Sequence, residues 1–268
     1  MKYRYMLLAA AVVGAPLAAK PAPRAVVAAK ANPATLKQAC DRLALALTPE
    51  SAVPHQVDTV VASMLNAMVA QDASFAAMNA KYPGLTDAIG VRVRPVMVDG
   101  SMATLPQYRT ELSQLYCDAM TLAEAGAAAA FFESNDGQAL LASANANMAY
   151  KAIAGSLAQG SDASAKDVRA DQKDAAQRTV DNMSPAQLNR VARFFASPAG
   201  RKMIGVGPRK TTLEQKWFNY SPPGLEDKAL RQPPGRWSIT SARPIPSWPS
   251  GCARCWSKKA CCPKAERD

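Results

Sequence analysis

Residues 183–204, MSPAQLNRVARFFASPAGRKMI, set the architecture of this chain, because residues 120–141, MTLAEAGAAAAFFESNDGQALL, repeat their pattern without a gap. Each copy places a hydroxyl residue after Met and Glu or Gln three residues later. Each then continues with Phe-Phe, a Ser two residues after the second Phe, and a Gly three residues after that Ser. The duplication predicts that both segments fold in the same way.

Capping chemistry predicts where the helices of each copy begin. Thr121 with Glu124, and Ser184 with Gln187, match the capping box, in which side chain and backbone satisfy each other's free groups at a helix start. Further along each copy, one more serine matches an N-cap residue. We therefore predict a helix, a tight corner and a second helix in each copy.

The corner residues are the predicted structural site of the repeat. Glycine within a helix costs about 1 kcal/mol relative to alanine, so a glycine at the same register in both copies predicts a close approach of two backbones. Two functions fit the paired phenylalanines: a groove for a ligand or partner, or anchors in the core. Aromatic pairs at helical spacing usually pack inside a protein, which favours core anchors. The site residues are Phe131, Phe132, Ser134 and Gly137 in the first copy, and Phe194, Phe195, Ser197, Pro198 and Gly200 in the second.

The segment Met183–Ile204 resembles the signature of a bacterial envelope family known as domain of unknown function 2059. The resemblance is weaker in the first copy, where Asn135 stands in place of the family's usual proline, and it extends loosely upstream to Tyr82. It implies a helical, exported protein. No catalytic residues are established for that family, so the resemblance implies none here.

Upstream of the repeat, the chain begins like an exported protein. Residues 1–19 combine a basic start, an apolar stretch and small residues at the end, as in a secretory signal peptide. Residues 20–32 are rich in Ala, Pro and Lys and are predicted to be a flexible lead-in. From residue 33 apolar residues recur at helical spacing. We predict one all-α domain over residues 33–207, no membrane span after signal removal, and a periplasmic or secreted location.

The segment Leu85–Val98 fits both a helix and a strand, and Pro95 disfavours either. We predict a kinked helix, because no partner strand is evident nearby, followed by a turn at Asp99-Gly100. The acidic residues of 162–181 are predicted to form a solvated helix face.

Composition changes after Gly207. Residues 208–268 hold all four tryptophans, nine of the twenty prolines and four of the six cysteines. They carry 12 Lys+Arg against 5 Asp+Glu, a net charge of +7, whereas residues 31–207 carry 15 against 16, a net of −1. The net charge of +11 therefore comes from the two ends of the chain, and the predicted folded body is near neutral. The high net charge gives no support for a nucleic-acid partner of that body. We predict that residues 208–268 are a disordered tail or an out-of-frame translation.

The cysteines allow two interpretations in the body and one weak motif in the tail. Cys40 and Cys117 either pair in an oxidising compartment or remain two separately buried thiols. Cys252-x-x-Cys255 followed by Cys261-Cys262 has the spacing of only half a zinc site. We predict no metal and no cofactor.

Catalytic motifs give no further lead. The single histidine, His55, rules out a multi-histidine metal site, and the sequence contains no nucleophile elbow, phosphate loop or dinucleotide fingerprint. The sequence favours a non-enzymatic helical protein of the bacterial envelope that binds an envelope protein or an apolar ligand. The alternative is a periplasmic hydrolase of unrecognised type that uses scattered carboxylates.

Overall fold

The computed structural model describes residues 33–220. Within this range every regular element is helical and no strand occurs, so the predicted all-α class is confirmed. The predicted signal peptide, the lead-in and residues 221–268 lie outside the described residues. The helices are α1 (Pro33–Leu47), α2 (Val53–Gln71), α3 (Ala73–Lys81), α4 (Leu85–Cys117), α5 (Leu122–Glu133), α6 (Asn135–Asn147), α7 (Lys151–Ala158), α8 (Ala165–Asp181), α9 (Pro185–Ala196) and α10 (Pro198–Asn219), with a 3-10 turn at Glu50–Ala52 before α2.

Helices α5 and α9, which open the two copies, begin at capping boxes. The side chain of Thr121 accepts a hydrogen bond from the backbone N–H of Glu124, whose carboxylate accepts one from the backbone N–H of Thr121. Ser184 and Gln187 make the same exchange at the start of α9. Two donors that a helix start leaves free are satisfied in each case.

The corners between the paired helices depend on their glycines. Ser134 and Ser197 cap α6 and α10, and their hydroxyls accept from the N–H of Gly137 and Gly200 at 3.3 and 3.2 Å. A Cβ on Gly137 would lie 2.1 Å from the carbonyl oxygen of Phe131, and one on Gly200 would lie 2.2 Å from that of Phe194. Both distances are far below a van der Waals contact. The close backbone approach predicted from the register of the glycines is therefore present in both copies.

The four phenylalanines of the two copies meet in one aromatic cluster. Phe131 and Phe194 stack face to face with ring centroids 3.8 Å apart, while Phe132 and Phe195 lie in the core at 0% and 3% exposure. Around this stack α5 packs against α10, and α6 packs against α9. The rings of the two copies contact one another, and Phe131 and Phe194 pack against the main core cluster. Of the two interpretations of the corners, this geometry matches core anchors.

Helix α4 is longer than predicted. Leu85–Val98 is helical, as expected, but the predicted turn at Asp99-Gly100 is wrong, because α4 continues to Cys117 with Pro95 and Pro106 inside it. A proline inside a helix leaves the backbone carbonyl four residues earlier without its hydrogen bond. Here these carbonyls belong to Val91 and Met102, and both residues are exposed. Water can therefore satisfy these carbonyls. The opposite face of α4 packs on α1, α2 and α10, and this burial outweighs the local break.

Helix α10 also passes its predicted end. The predicted tail begins at residue 208, yet the helix runs through Gly205, Gly207 and Pro208 to Asn219. Gly205 and Pro208 are exposed, whereas Val206 and Lys210 are buried on the other face. The helix-breaking residues therefore face solvent, and the packed face carries the helix onward. The domain boundary at Gly207 is wrong by at least twelve residues.

Within residues 33–220, a disulfide joins α1 to the end of α4. Cys40 in α1 and Cys117 in α4 are bonded, with 5.7 Å between their Cα atoms. Of the two alternatives that the sequence left open, the structure contains the bridge. It closes a sequence separation of 77 residues, so it fixes α1 against α4 before the repeat begins.

Candidate apolar cleft

An open cleft of about 180 Å³ lies among α2, α4, α7 and the last turn of α10. We call it the apolar cleft. It is lined by Gln56, Val57, Val60, Met97, Gly100, Ser101, Thr104, Leu105, Tyr108, Leu157, Trp217, Phe218 and Tyr220. Most of these side chains are apolar or aromatic, which is the usual lining of a small-molecule site.

The aromatic side of the cleft is a chain of rings. Tyr108 of α4 contacts Trp217 edge to face at 6.2 Å, and Trp217 contacts Tyr220 at 5.1 Å. The indole N–H of Trp217 donates to the carboxylate of Glu111 at 3.0 Å, and Lys216 donates to the same carboxylate. These contacts hold the last turn of α10, and with it Trp217, against α4.

The floor of the cleft belongs to a second, smaller core cluster. Phe218 and Leu157 pack against this cluster, and the ring of Phe218 lies 6.0 Å from that of Tyr150. Tyr150 is buried and has a left-handed backbone with φ of 54°, an uncommon conformation for a residue other than glycine. It immediately precedes α7, so the chain turns sharply there and brings Leu157 to the cleft.

A buried carboxylate secures the start of α7. Both oxygens of Asp171 in α8 accept backbone N–H groups, from Ala152 and Ile153, each at 3.0 Å. Burial raises the pKa of Asp171, and these hydrogen bonds act in the opposite direction. The predicted solvated acidic face is therefore wrong at this position. A raised carboxylate pKa is typical of catalytic acids. Here both oxygens cap α7 and Asp171 does not line the cleft, so the hydrolase alternative gains no support from it.

Two polar side chains of the cleft, Thr104 of α4 and Gln56 of α2, are hydrogen-bonded within the protein. The hydroxyl of Thr104 donates to the carbonyl oxygens of Gly100 and Ser101 at 3.1 and 3.2 Å. The amide of Gln56 donates to Asn145 at 3.5 Å. Because these polar groups already have protein partners, the cleft requires few hydrogen bonds from an occupant.

The cleft walls carry no formal charge. None of the thirteen lining residues is Asp, Glu, Lys, Arg or His. A charged ligand would lose its hydration without gaining a partner of opposite charge. The lining therefore favours an uncharged, apolar occupant.

A second cavity of about 200 Å³ lies between the two copies. It is lined by Asp136, Ala139, Leu140, Ser143, Asn182, Met183, Gln187 and Val191. Arg190 pairs with Asp136 at 2.8 Å across the same interface. Polar side chains make up half of this lining, and no aromatic ring contributes to it. The apolar cleft is the better candidate for an apolar ligand.

The predicted corner residues and the apolar cleft are different places. None of the nine corner residues lines the cleft. The predicted domain ends at Gly207, so it excludes Trp217, Phe218 and Tyr220 of the aromatic wall. A signal for this wall existed. Apolar positions recur at helical spacing through Met203, Val206, Leu213 and Trp217, and a period continued across Pro208 would have included α10.

Other candidates from the sequence give no site in the described part of the chain. Within residues 33–220 no three His, Cys, Asp or Glu side chains lie close enough to hold a metal ion, and His55 is exposed. The tail cysteines from Cys252 onward lie outside the described residues. Across the same residues no single helix is long and apolar enough to span a membrane. Two consecutive helical segments, residues 35–71 and Ala73–Lys81, meet the length and hydropathy criteria when taken together, but the axis bends by 106° between them.

Comparisons of the chain with protein-family models, with curated proteins and with solved structures find no match. The resemblance to domain of unknown function 2059 therefore stays an expectation from residues 120–204.

Proposed function

We propose that this chain is an exported, non-enzymatic helical protein of the bacterial envelope that binds a small apolar ligand in the apolar cleft. The observation that carries the proposal is the cleft's lining: an uncharged, mostly apolar wall with a fixed row of aromatic rings. Small-molecule sites combine such walls with a few polar groups.

Export is supported by two independent features. Residues 1–19 have the pattern of a secretory signal peptide, and Cys40 is bonded to Cys117. Disulfides persist in the periplasm and outside the cell but are rare in the cytosol. The bridge therefore fits the compartment to which the leader pattern directs the chain.

The volume of the cleft limits the ligand to roughly one or two rings. An engineered cavity of about 150 Å³ takes up benzene, and the apolar cleft measures about 180 Å³. Burying about 150–200 Å² of apolar ligand surface at about 25 cal/mol per Å² contributes about 4–5 kcal/mol. That corresponds to a dissociation constant on the order of 0.1–1 mM for a single-ring compound.

The test is thermal unfolding of the oxidised full-length chain with and without toluene. At a ligand concentration of about five times Kd the folded state gains about 1 kcal/mol, which raises Tm by roughly 2–4 °C for a domain of this size. Gly100 lines the cleft on a helix, so Gly100→Leu is expected to fill the cleft, keep the helix and abolish the shift.

The matched control is Gly126→Leu. Gly126 also lies inside a helix, and a Cβ placed on it meets nothing within 4 Å, so this change adds the same side chain away from the cleft. It is expected to preserve the toluene shift. Equal shifts in Gly100→Leu and Gly126→Leu would place the binding elsewhere and contradict the proposal.

A further inference from the structure

The hydroxyl of Ser101 differs from the side-chain polar groups of Thr104, Gln56 and Trp217 in the apolar cleft. Thr104 donates to backbone carbonyls, Gln56 to Asn145, and the indole N–H of Trp217 to Glu111. For the Ser101 hydroxyl, residues 33–220 supply no hydrogen bond, although the residue lines the cleft and is only half-buried. It is thus a hydrogen-bonding group that an occupant of the cleft can reach.

The rest of the lining selects for rings. Tyr108, Trp217, Phe218 and Tyr220 contribute aromatic side chains, and Tyr108 and Tyr220 each contact Trp217 at a steep interplanar angle. Edge-to-face contact adds to the area that a ring buries, so a planar aromatic ligand is expected to bind about 2- to 10-fold more tightly than a saturated ring of equal size.

We infer that the ligands of the apolar cleft are neutral aromatic compounds of one or two rings with one hydroxyl or N–H group. This group hydrogen-bonds to Ser101. The inference rests on the proposed function and specifies its class of ligand. The volume sets the ring number, the uncharged wall excludes ionised substituents, and Ser101 sets the single polar group. Phenolic and indole-like compounds have this chemistry.

The test compares two ligands of the same shape. In p-cresol a hydroxyl replaces one methyl group of p-xylene, so only p-cresol can bond to Ser101. Binding is followed by the fluorescence of Trp217 in the full chain carrying Trp237→Phe, Trp248→Phe and Trp256→Phe, which leaves one tryptophan, on the wall of the cleft. Ser101→Ala is expected to weaken p-cresol binding about 3- to 10-fold and to leave p-xylene binding within 2-fold.

Thr110→Val is the matched control, because Thr110 lies on α4 outside the cleft lining and its hydroxyl is already bonded to the carbonyl oxygen of Pro106. It is expected to leave the binding of both ligands within 2-fold. If Ser101→Ala changes the binding of both ligands equally, or of neither, the role of Ser101 is overturned while the cleft remains a binding site. If neither ligand binds the parent chain up to its solubility, the proposed function itself fails.

Discussion

Replacing Gly200 with alanine tests the corner geometry on which both copies are built. The added Cβ would lie 2.2 Å from the carbonyl oxygen of Phe194 and 2.4 Å from the Cα of Phe195. Both atoms are backbone, so no side-chain rotation relieves the clash and the corner must open by about 1 Å to restore a normal contact. Opening it disturbs the Ser197 cap and the buried ring of Phe195.

The expected change in the free energy of unfolding combines one gain with three losses. Alanine gains up to about 1 kcal/mol over glycine within a helix. Forced overpacking costs about 1–3 kcal/mol, and loss of an N-cap costs about 1 kcal/mol more. With the partial loss of Phe195 burial added, we expect Gly200→Ala to destabilise the fold by about 3 kcal/mol, which lowers Tm by roughly 6–12 °C.

A control in the same helix gives the opposite sign. A Cβ on Gly205 meets nothing within 4 Å, so Gly205→Ala should gain helix propensity and stabilise the fold by up to about 1 kcal/mol. Urea unfolding of the oxidised protein, followed by helical circular dichroism, measures both variants. If Gly200→Ala proves as stable as Gly205→Ala, the close approach at the corner does not exist in solution.

Three further changes test the fold. Cys40→Ala with Cys117→Ala should lower the free energy of unfolding by about 4 kcal/mol, and a reductant should produce a similar loss in the parent but none in the double variant. Burial acts to raise the pKa of Asp167, but hydrogen bonds from Ser164 and Ser156 lower it overall. Its carboxylate therefore stabilises the fold above its unfolded pKa of about 4, and the deficit of Asp167→Asn should shrink as pH falls below 4 in urea unfolding series. Lys210→Met should cost about 3–5 kcal/mol, because it leaves the buried carboxylate of Glu214 without its cation, and adding Glu214→Gln should recover most of that loss in the same urea assay.

The corners could be derived from sequence because their causes are local. The N-cap serine lies three residues before the glycine whose N–H it accepts, as Ser134 does for Gly137, so both partners are close together in the sequence. The stacking partner of Phe131 could not be derived in this way. That Phe194 meets it at 3.8 Å depends on how α5 and α9 approach, and no residue within either copy encodes that distance.

The two errors of helix length have one physical cause. Both predicted ends rest on local signals alone, the turn at Asp99-Gly100 and the change of composition after Gly207. Pro106 and Pro208 inside the observed helices add the local cost of a proline, about 3 kcal/mol each. Tertiary burial overrides that cost where the opposite face is packed, as at Leu112 in α4 and Met203 in α10, both almost fully buried. Exposed helix breakers beside an uninterrupted buried stripe are the pattern that separates these prolines from true helix ends.

The C-terminal limit of the domain follows from what residues 208–220 contact. Lys210 and Glu214 are buried at 2% and 0% side-chain exposure, and Glu214 accepts a hydrogen bond from Gln172 of α8. Trp217 bonds to Glu111 of α4, and Asn219 exchanges two hydrogen bonds with the backbone of Ala163. A chance out-of-frame sequence would not be expected to find three specific partners on other parts of the domain within three turns.

A pair of truncations converts this into a measurement. A chain ended after Tyr220 keeps every one of these contacts and is expected to unfold cooperatively near the parent's midpoint. A chain that ends after Gly207 exposes the faces of α4 and α8 that residues 208–219 of α10 cover. It also removes Glu214, the hydrogen-bond acceptor of Gln172. It is expected to lose cooperative unfolding and bind a hydrophobic dye. If the shorter chain retained the parent's midpoint, the last three turns of α10 would be dispensable, and the aromatic wall of the apolar cleft would have no fixed support.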